Sequence, residues 1–179
     1  MSLGLLRGTV RLEEHDDAWD ASAREVIRDL WEVLREDAAD IQHVGSTAIR
    51  GIAAKPVVDL AVGVRSLDDM RRHDAALAER GILFRKRQFG DQLLYVVGEE
   101  DVRTHHIHVV IWNGEAWRDY IAFRDYLNAH PHKAGQYSAL KMSLAARFPT
   151  DRESYIRGKQ DLIASLLREA RSWKDEHPL

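Results

Sequence analysis

The sequence contains no cysteine, so it offers neither disulfide bonds nor thiolate ligands for a metal ion. It has no apolar run near the roughly 18 residues of a membrane-spanning helix, and its N-terminus lacks the apolar segment of a secretory signal. It also has no surplus of basic residues, since 26 Lys and Arg stand against 29 Asp and Glu. These absences predict a cytoplasmic protein without a membrane partner. They disfavour nucleic acid as a ligand, because nucleic-acid-binding domains usually carry a basic surplus.

The chain has 179 residues, 45% of them hydrophobic, which is enough for one domain with its own core. We predict a single domain over residues 1–179, with an α/β part over about 1–112 and a helical part over 113–179. Apolar periodicity predicts strands at 10–14, 40–44, 57–64, 82–86, 92–97 and 102–112, and helices at 19–38, 67–80, 115–129, 133–147 and 152–173. The predicted fold class is therefore α/β (α+β), with a helical C-terminal third.

An acid in the middle of an apolar run is the most informative feature. The run PVVDLAVGV is typical of a buried strand, and Asp59 interrupts it. Alternation places Asp59 on one face with Ala61 and Gly63, whereas the valines and Leu60 fill the other face. A buried, unpaired carboxylate is costly, so Asp59 needs a partner. That partner is either structural, an arginine or a backbone N–H, or functional, a metal ion or a substrate cation. We expect a cleft, not a sealed core, to face Asp59.

Gly45, Ser46 and Thr47 form a predicted turn shortly before this strand. Glycine allows the backbone to approach a ligand closely, and successive N–H groups together with a hydroxyl bind anions. A Gly-Ser pair alone is common in proteins, but one followed by a strand with a lone acid is more specific. The combination predicts that the turn binds an anion.

The stretch HVGSTAIRGIAAKPVVDLAV resembles the signature of the GrpB-like family. The likeness continues through HIHVVIW, FRDYLNAH, YSALK and YIRGK, and so covers nearly the whole chain. That family belongs to the nucleotidyltransferase superfamily, whose polymerase-beta-like core carries Gly-Ser followed by a strand with alternating acids. The resemblance implies a nucleotidyltransferase-like mixed sheet flanked by helices. It also implies a divalent metal, Mg²⁺ or Mn²⁺, which is held by carboxylates and bridges nucleotide phosphates.

The family pattern transfers only in part to this sequence. Gly45 and Ser46 match the turn that holds phosphate, and Asp59 matches the first acid, a catalytic metal ligand. The second acid is expected two residues later, where this chain has Ala61. A single carboxylate holds Mg²⁺ poorly, because the ion prefers several hard oxygen ligands. One alternative to nucleotidyl transfer is therefore a non-catalytic binding module with a degraded metal site.

The predicted strand at 102–112 carries His106 and His108 on one face. Their imidazoles are about 7 Å apart along the strand, close enough to share a transition metal. With Asp59 they would form a set of two histidines and one carboxylate, suited to Zn²⁺, Mn²⁺ or Fe²⁺. The second alternative is therefore a transition-metal-dependent enzyme. The simpler interpretation is two half-exposed histidines that bond to backbone or water.

Three predicted C-terminal helices each carry one cation within the apolar stripe. Arg124, Lys141 and Lys159 occupy these positions. A single such cation usually packs its stem and extends its charge to water. Three together predict a shared anion, either acidic side chains or a bound phosphate. Lys55 either joins them or is simply exposed. The predicted function is thus binding of a nucleotide or another phosphorylated small molecule, with nucleotidyl transfer as the reaction that the resemblance implies.

Overall fold

The computed structural model describes residues 3–88 and 91–177. A six-stranded sheet has the order β2-β3-β6-β5-β4, and β1 pairs with the start of β6. Strands β3 and β6 are parallel, and the other neighbours are antiparallel. The strands are β1 (Leu5–Leu6), β2 (Ala38–Val44), β3 (Val58–Val64), β4 (Leu83–Gln88), β5 (Gln92–Gly98) and β6 (Val102–Ile111). The helices are α1 (Ala18–Leu34), α2 (Leu67–Arg71), α3 (Asp74–Glu79), α4 (Glu115–Ala129), α5 (Pro131–Arg147), α6 (Arg152–Gly158) and α7 (Gln160–Glu176).

One face of the sheet is sealed by α1, α2 and α3. The apolar stripe of α1, which includes Trp19 and Leu30, packs in one cluster with Leu60 of β3 and Ile107 of β6. These strand residues alternate with Asp59 and its neighbours, as the period of two requires. The main core therefore lies on the face opposite Asp59.

The second face is covered over only part of its length. Near the ends of β3 and β6, Ala61 and Val110 pack with Trp117 of α4. Near the starts of the same strands the face opens into a cleft that includes Asp59 and His106. The cleft lies between the β1 segment and the C-terminal helices α5 and α6.

The predicted fold class is confirmed: a mixed sheet is followed by a helical C-terminal third. The predicted helix at 67–80 is two helices, because the backbone N–H groups of Arg72 and His73 bond three residues back and close α2. The predicted helix at 152–173 is likewise divided at Lys159 into α6 and α7. The predicted strand at 10–14 is reduced to a bridge between Glu13 and Ala54, and β1 was not predicted. Within the described ranges, no helix combines the length and apolarity that a membrane crossing requires.

Gly63 is required where α4 crosses the sheet. A methyl group there would lie 2.8 Å from Trp112 Cδ1 and 3.1 Å from the Trp117 ring. Gly63→Ala should therefore lower the free energy of unfolding by about 1–3 kcal/mol through overpacking. The matched control is Gly135→Ala in α5, where a methyl group meets nothing within 4 Å. That control should raise stability by about 0.5–1 kcal/mol. Urea unfolding measures both changes, and a loss of equal size in both variants would contradict this packing.

Candidate anion-binding cleft

Gly45 brings the turn directly against Asp59. Strand pairing sets Val44 of β2 beside Asp59, and Asp59 beside His106 of β6. A methyl group on Gly45 would lie 2.6 Å from Asp59 Oδ2, and its φ of 71° with ψ of −168° is a region almost restricted to glycine. The glycine makes room for the Asp59 side chain, a contact that the sequence did not predict.

Two imidazoles hold the Asp59 carboxylate. His106 Nδ1 is 3.4 Å and His108 Nε2 is 3.3 Å from the same oxygen, Oδ1. Burial raises the pKa of Asp59, but hydrogen bonding and charge from His106 and His108 outweigh burial and hold that pKa well below its ordinary value. The carboxyl group is therefore ionised, and both imidazoles contact it. The side chain of Asp59 remains 30% exposed and lines the cleft.

The donor set does not fit the magnesium site of the nucleotidyltransferase pattern. Ala61 is fully buried in the apolar cluster with Trp117, so a carboxylate at that position would meet hydrocarbon. The histidine nitrogens converge on Asp59 Oδ1 and not on a common point in the cleft. Over residues 3–88 and 91–177, no group of three His, Cys, Asp or Glu is arranged to hold a metal ion. One carboxylate supplies too few hard oxygen ligands for Mg²⁺.

Three lysines line the cleft above Asp59, and we call it the lysine cleft. It has a volume of about 200 Å³. Lys141, 1% exposed, donates a 2.6 Å hydrogen bond from Nζ to the Ala53 carbonyl. Among the described residues, lysine ion pairs are those of Lys133 and Lys174, and neither lies in this cleft. The lining residues used below are Ser46, Lys55, Asp59, His106, Lys141, Tyr155 and Lys159.

Aromatic rings stand beside the amines where carboxylates would be expected. Tyr155 has Lys55 Nζ at 4.4 Å and Lys159 Nζ at 5.0 Å from its ring centroid. Lys141 Nζ lies 4.5 Å from the centroid of Tyr137. The Tyr137 hydroxyl also accepts a 3.4 Å hydrogen bond from Ser46 Oγ. Cation–π contacts of this kind offset only part of the cost of desolvating an ammonium group.

The lysines accordingly have lowered pKa values. Burial, followed by repulsion from Lys159, lowers the pKa of Lys141 to about 7. Burial, then Lys159 and Arg152, lower the pKa of Lys55 to about 8. The pKa of Lys159 is also lowered, chiefly by burial. The cleft therefore concentrates amines whose charged form Asp59 stabilises only in part.

The structure does not bring every predicted phosphate ligand into this cleft. Thr47 is buried, and its Oγ1 lies 2.9 Å from His43 Nε2. The expectation that Arg124 joins the lysines is corrected. Arg124 donates hydrogen bonds to the Gln42 side chain and the His43 carbonyl, and it pairs with Asp125. It therefore lies in a separate cavity and stabilises the contact between α4 and β2.

Three arginines line the lysine cleft without having been predicted. They are Arg7, Arg103 and Arg152. Strand parity would place Arg103 on the core face, opposite His106. A bulge changes this, because β6 pairs Val97 with His105 and then Gly98 with Arg103. No pattern in a single sequence locates such a bulge, so Arg103 had no detectable signal.

The class of protein that the fold defines is a nucleotidyltransferase-like domain. A cytoplasmic RNA terminal U-transferase shares the fold, with a TM-score of 0.54 at 14% identity, over 76% of this chain and 41% of that protein. A likeness at this identity concerns the fold alone.

The chain belongs to the GrpB protein family, whose model matches residues 9–169. The glutamate-rich protein GrpB of Alkalihalophilus pseudofirmus is 37% identical over 172 residues, covering 93% of this chain and 99% of that relative. The crystal structure of conserved protein GrpB from Enterococcus faecalis matches with a TM-score of 0.84 at 26% identity, over 91% of this chain and 99% of that one. The predicted family is confirmed.

A more distant relative is longer than this chain. The dephospho-CoA kinase of Mycolicibacterium paratuberculosis is 27% identical over 202 aligned positions, covering 96% of this chain. The chain spans 48% of the length of that relative.

Lys141 gives a testable dependence of stability on pH. Its pKa falls from 10.5 to about 7 on folding. Between these values the unfolded chain binds the extra proton, so folding becomes more favourable as pH rises. Lys141→Met removes this pH dependence. Within this window, the free energy of unfolding of the variant minus that of wild type should therefore increase by roughly 1 kcal/mol for each unit by which the pH is lowered.

Urea unfolding across the window measures this difference. The control is Lys86→Met, which removes the same charge from an exposed position on β4. A difference between Lys141→Met and wild type that stays constant with pH would show that the Lys141 ammonium is not desolvated.

Proposed function

We propose that this protein binds a nucleotide or another phosphorylated small molecule in the lysine cleft. One observation carries the proposal. Lys55, Lys141 and Lys159 converge on a partly enclosed cleft without a carboxylate partner among the described residues. The one acid in the lining, Asp59, is engaged by His106 and His108. The surplus positive charge therefore has no internal counterpart.

Phosphate is the anion that suits this arrangement. A phosphate oxygen accepts several charge-assisted hydrogen bonds at once, and a polyphosphate presents several such oxygens. Each lysine whose pKa is lowered by burial and repulsion regains its proton more readily once an anion is bound. Ser46 adds a hydroxyl at the edge of the same cleft. The tyrosines beside the amines keep the stems packed when no ligand is bound.

The comparisons support a phosphorylated ligand at a coarser level. The proteins that share this fold include an RNA terminal U-transferase. A longer relative, of which this chain covers 48%, is named dephospho-CoA kinase. We retain the cytoplasm as the expected location, where ligands of this class are abundant.

Nucleotidyl transfer is the second candidate. It is favoured by Asp59, whose partly exposed carboxylate faces the same cleft as the lysines. Against it stands Ala61, because a transfer site of this superfamily is expected to hold metal with more than one carboxylate. The transition-metal set of Asp59, His106 and His108 has less support, since both imidazoles direct a nitrogen at the carboxylate. Recognition without metal is therefore the primary proposal.

The first test removes cleft charges one at a time. Lys55→Gln and Lys159→Gln should each weaken binding of ATP about tenfold, because each removes one charge-assisted contact with phosphate. Titration calorimetry at low salt, with EDTA present, measures the affinities. The matched control is Arg168→Gln, which removes an exposed charge of α7 outside the cleft and should bind like wild type. Equal affinity in the lysine variants and wild type would refute the proposal.

The second test asks whether one substitution strengthens or weakens the binding of ATP. Asp59→Asn removes a negative charge from the wall of the lysine cleft. If phosphate binds the lysines directly, this change should strengthen ATP binding severalfold, because a repulsive charge a few Å away is worth about 1 kcal/mol. The gain should be the same with EDTA and with Mg²⁺. Weaker binding of the variant in Mg²⁺ alone would instead support a metal held by Asp59, and with it nucleotidyl transfer.

A further inference from the structure

A second basic pocket adjoins the lysine cleft on the β4–β5 side of the sheet. We call it the arginine pocket; its volume is about 430 Å³. It shares part of its wall with the lysine cleft, including His106. Its lining contains one carboxylate, Glu100, against five cations: Arg7, Arg85, Lys86, Arg103 and Arg152.

The five cations come from four separate segments of the chain. Arg7 follows β1 and is anchored by a 2.7 Å hydrogen bond from its backbone N–H to the Asp101 carbonyl. Arg103 is turned into the pocket by the bulge in β6. A second bulge, between Phe84 and Lys86, lets consecutive residues of β4 line one pocket. Separate backbone features therefore assemble this charge, which distinguishes it from a solvated run of basic residues.

The charge of the arginine pocket is not balanced internally. None of its five cations forms an ion pair with a carboxylate in residues 3–88 and 91–177. Arg171, by contrast, lies 2.6 Å from Asp119 and 2.9 Å from Glu115. In the pocket, Arg103 Nε is buried without a hydrogen-bond partner. Burial, followed by repulsion from neighbouring arginines, lowers the pKa of Arg103. A bound anion would offer Arg103 Nε a hydrogen-bond acceptor and would offset the repulsion between the arginines.

We propose that the arginine pocket is a second phosphate subsite, so that the lysine cleft and the arginine pocket together accommodate two separated phosphate groups. This inference rests on the proposed function of the lysine cleft. Arginine suits such a subsite because its guanidinium binds two phosphate oxygens at once. Arg7, Arg103 and Arg152 line both cavities, so the two phosphates lie on either side of one shared wall. A nucleotide that carries phosphate at both the 3′ and the 5′ position of its ribose has this chemistry. So does a nucleotide bound next to a phosphorylated acceptor.

The test compares AMP with adenosine 3′,5′-bisphosphate at constant ionic strength by titration calorimetry. The bisphosphate should bind at least tenfold more tightly than AMP. The double variant Arg85→Gln/Lys86→Gln changes residues that line the arginine pocket alone, so it should lose this advantage and keep the wild-type affinity for AMP. Arg168→Gln is the matched control and should keep both affinities. Thermal unfolding by circular dichroism checks that each variant is folded.

Inorganic phosphate distinguishes the two possible sources of the second phosphate group, a separate acceptor molecule or the same ligand. If the acceptor is a separate molecule, inorganic phosphate should bind to AMP-saturated wild type but not to the AMP-saturated double variant. If both phosphates belong to one ligand, only the tighter binding of the bisphosphate should be seen. The subsite is refuted if neither effect appears, or if either one survives in the double variant.

Failure of this inference is distinguishable from failure of the proposed function. Lys55→Gln/Lys159→Gln removes cations from the lysine cleft, and Arg85→Gln/Lys86→Gln removes them from the arginine pocket. Phosphorus NMR titration with inorganic phosphate should detect two sites in wild type and one in each double variant. Loss of binding only with the lysine changes would leave the proposed function intact and overturn the second subsite. Loss only with the arginine-pocket changes would support the subsite and overturn the lysine cleft.

Discussion

The contact of Asp59 with His106 and His108 determines the electrostatics of the whole cleft. An ionised aspartate in that position would otherwise be the natural partner of a nearby lysine. The histidines lie 3.4 and 3.3 Å from one carboxylate oxygen. Asp59 still raises the pKa of Lys55, but by less than burial and neighbouring cations lower it. The lysines are therefore left with a surplus of charge, and this surplus makes the cleft a site for an anion.

The helices and regular strands of this fold could be predicted, because the spacing of apolar residues along the sequence indicates which face of each element is buried. The face of β3 opposite Asp59 follows from alternation in the sequence, and α4 occupies the predicted bounds, Glu115–Ala129. The family resemblance added the order of the motifs. It also drew attention to Ala61, whose complete burial beside Trp117 gives a physical reason for the missing second acid.

The candidate site was less predictable, because a cation in an apolar stripe reports burial but not which cavity it faces. Lys141 and Arg124 showed the same pattern, yet Lys141 lines the lysine cleft while Arg124 bonds to β2 on another side of α4. The path of the helices decides this difference, and it depends on contacts far apart in sequence. Arg103 was hidden for another reason, since one extra residue in a strand reverses the parity on which prediction relies.

The cations of both cavities are held largely by irregularities in the chain. Lys159 lies between α6 and α7, where Gly158 packs so closely on Leu144 that a methyl group would lie 2.5 Å away. Arg103 and Lys86 lie beside bulges in β6 and β4. Bulges redirect side chains while the surrounding ladder is kept. The core under α1 depends on the regular parts of the same strands, so changes of packing such as those at Gly63 act on the fold. Charge changes in the cleft act on ligand binding and, where they remove a desolvated charge such as that of Lys141, on stability as well.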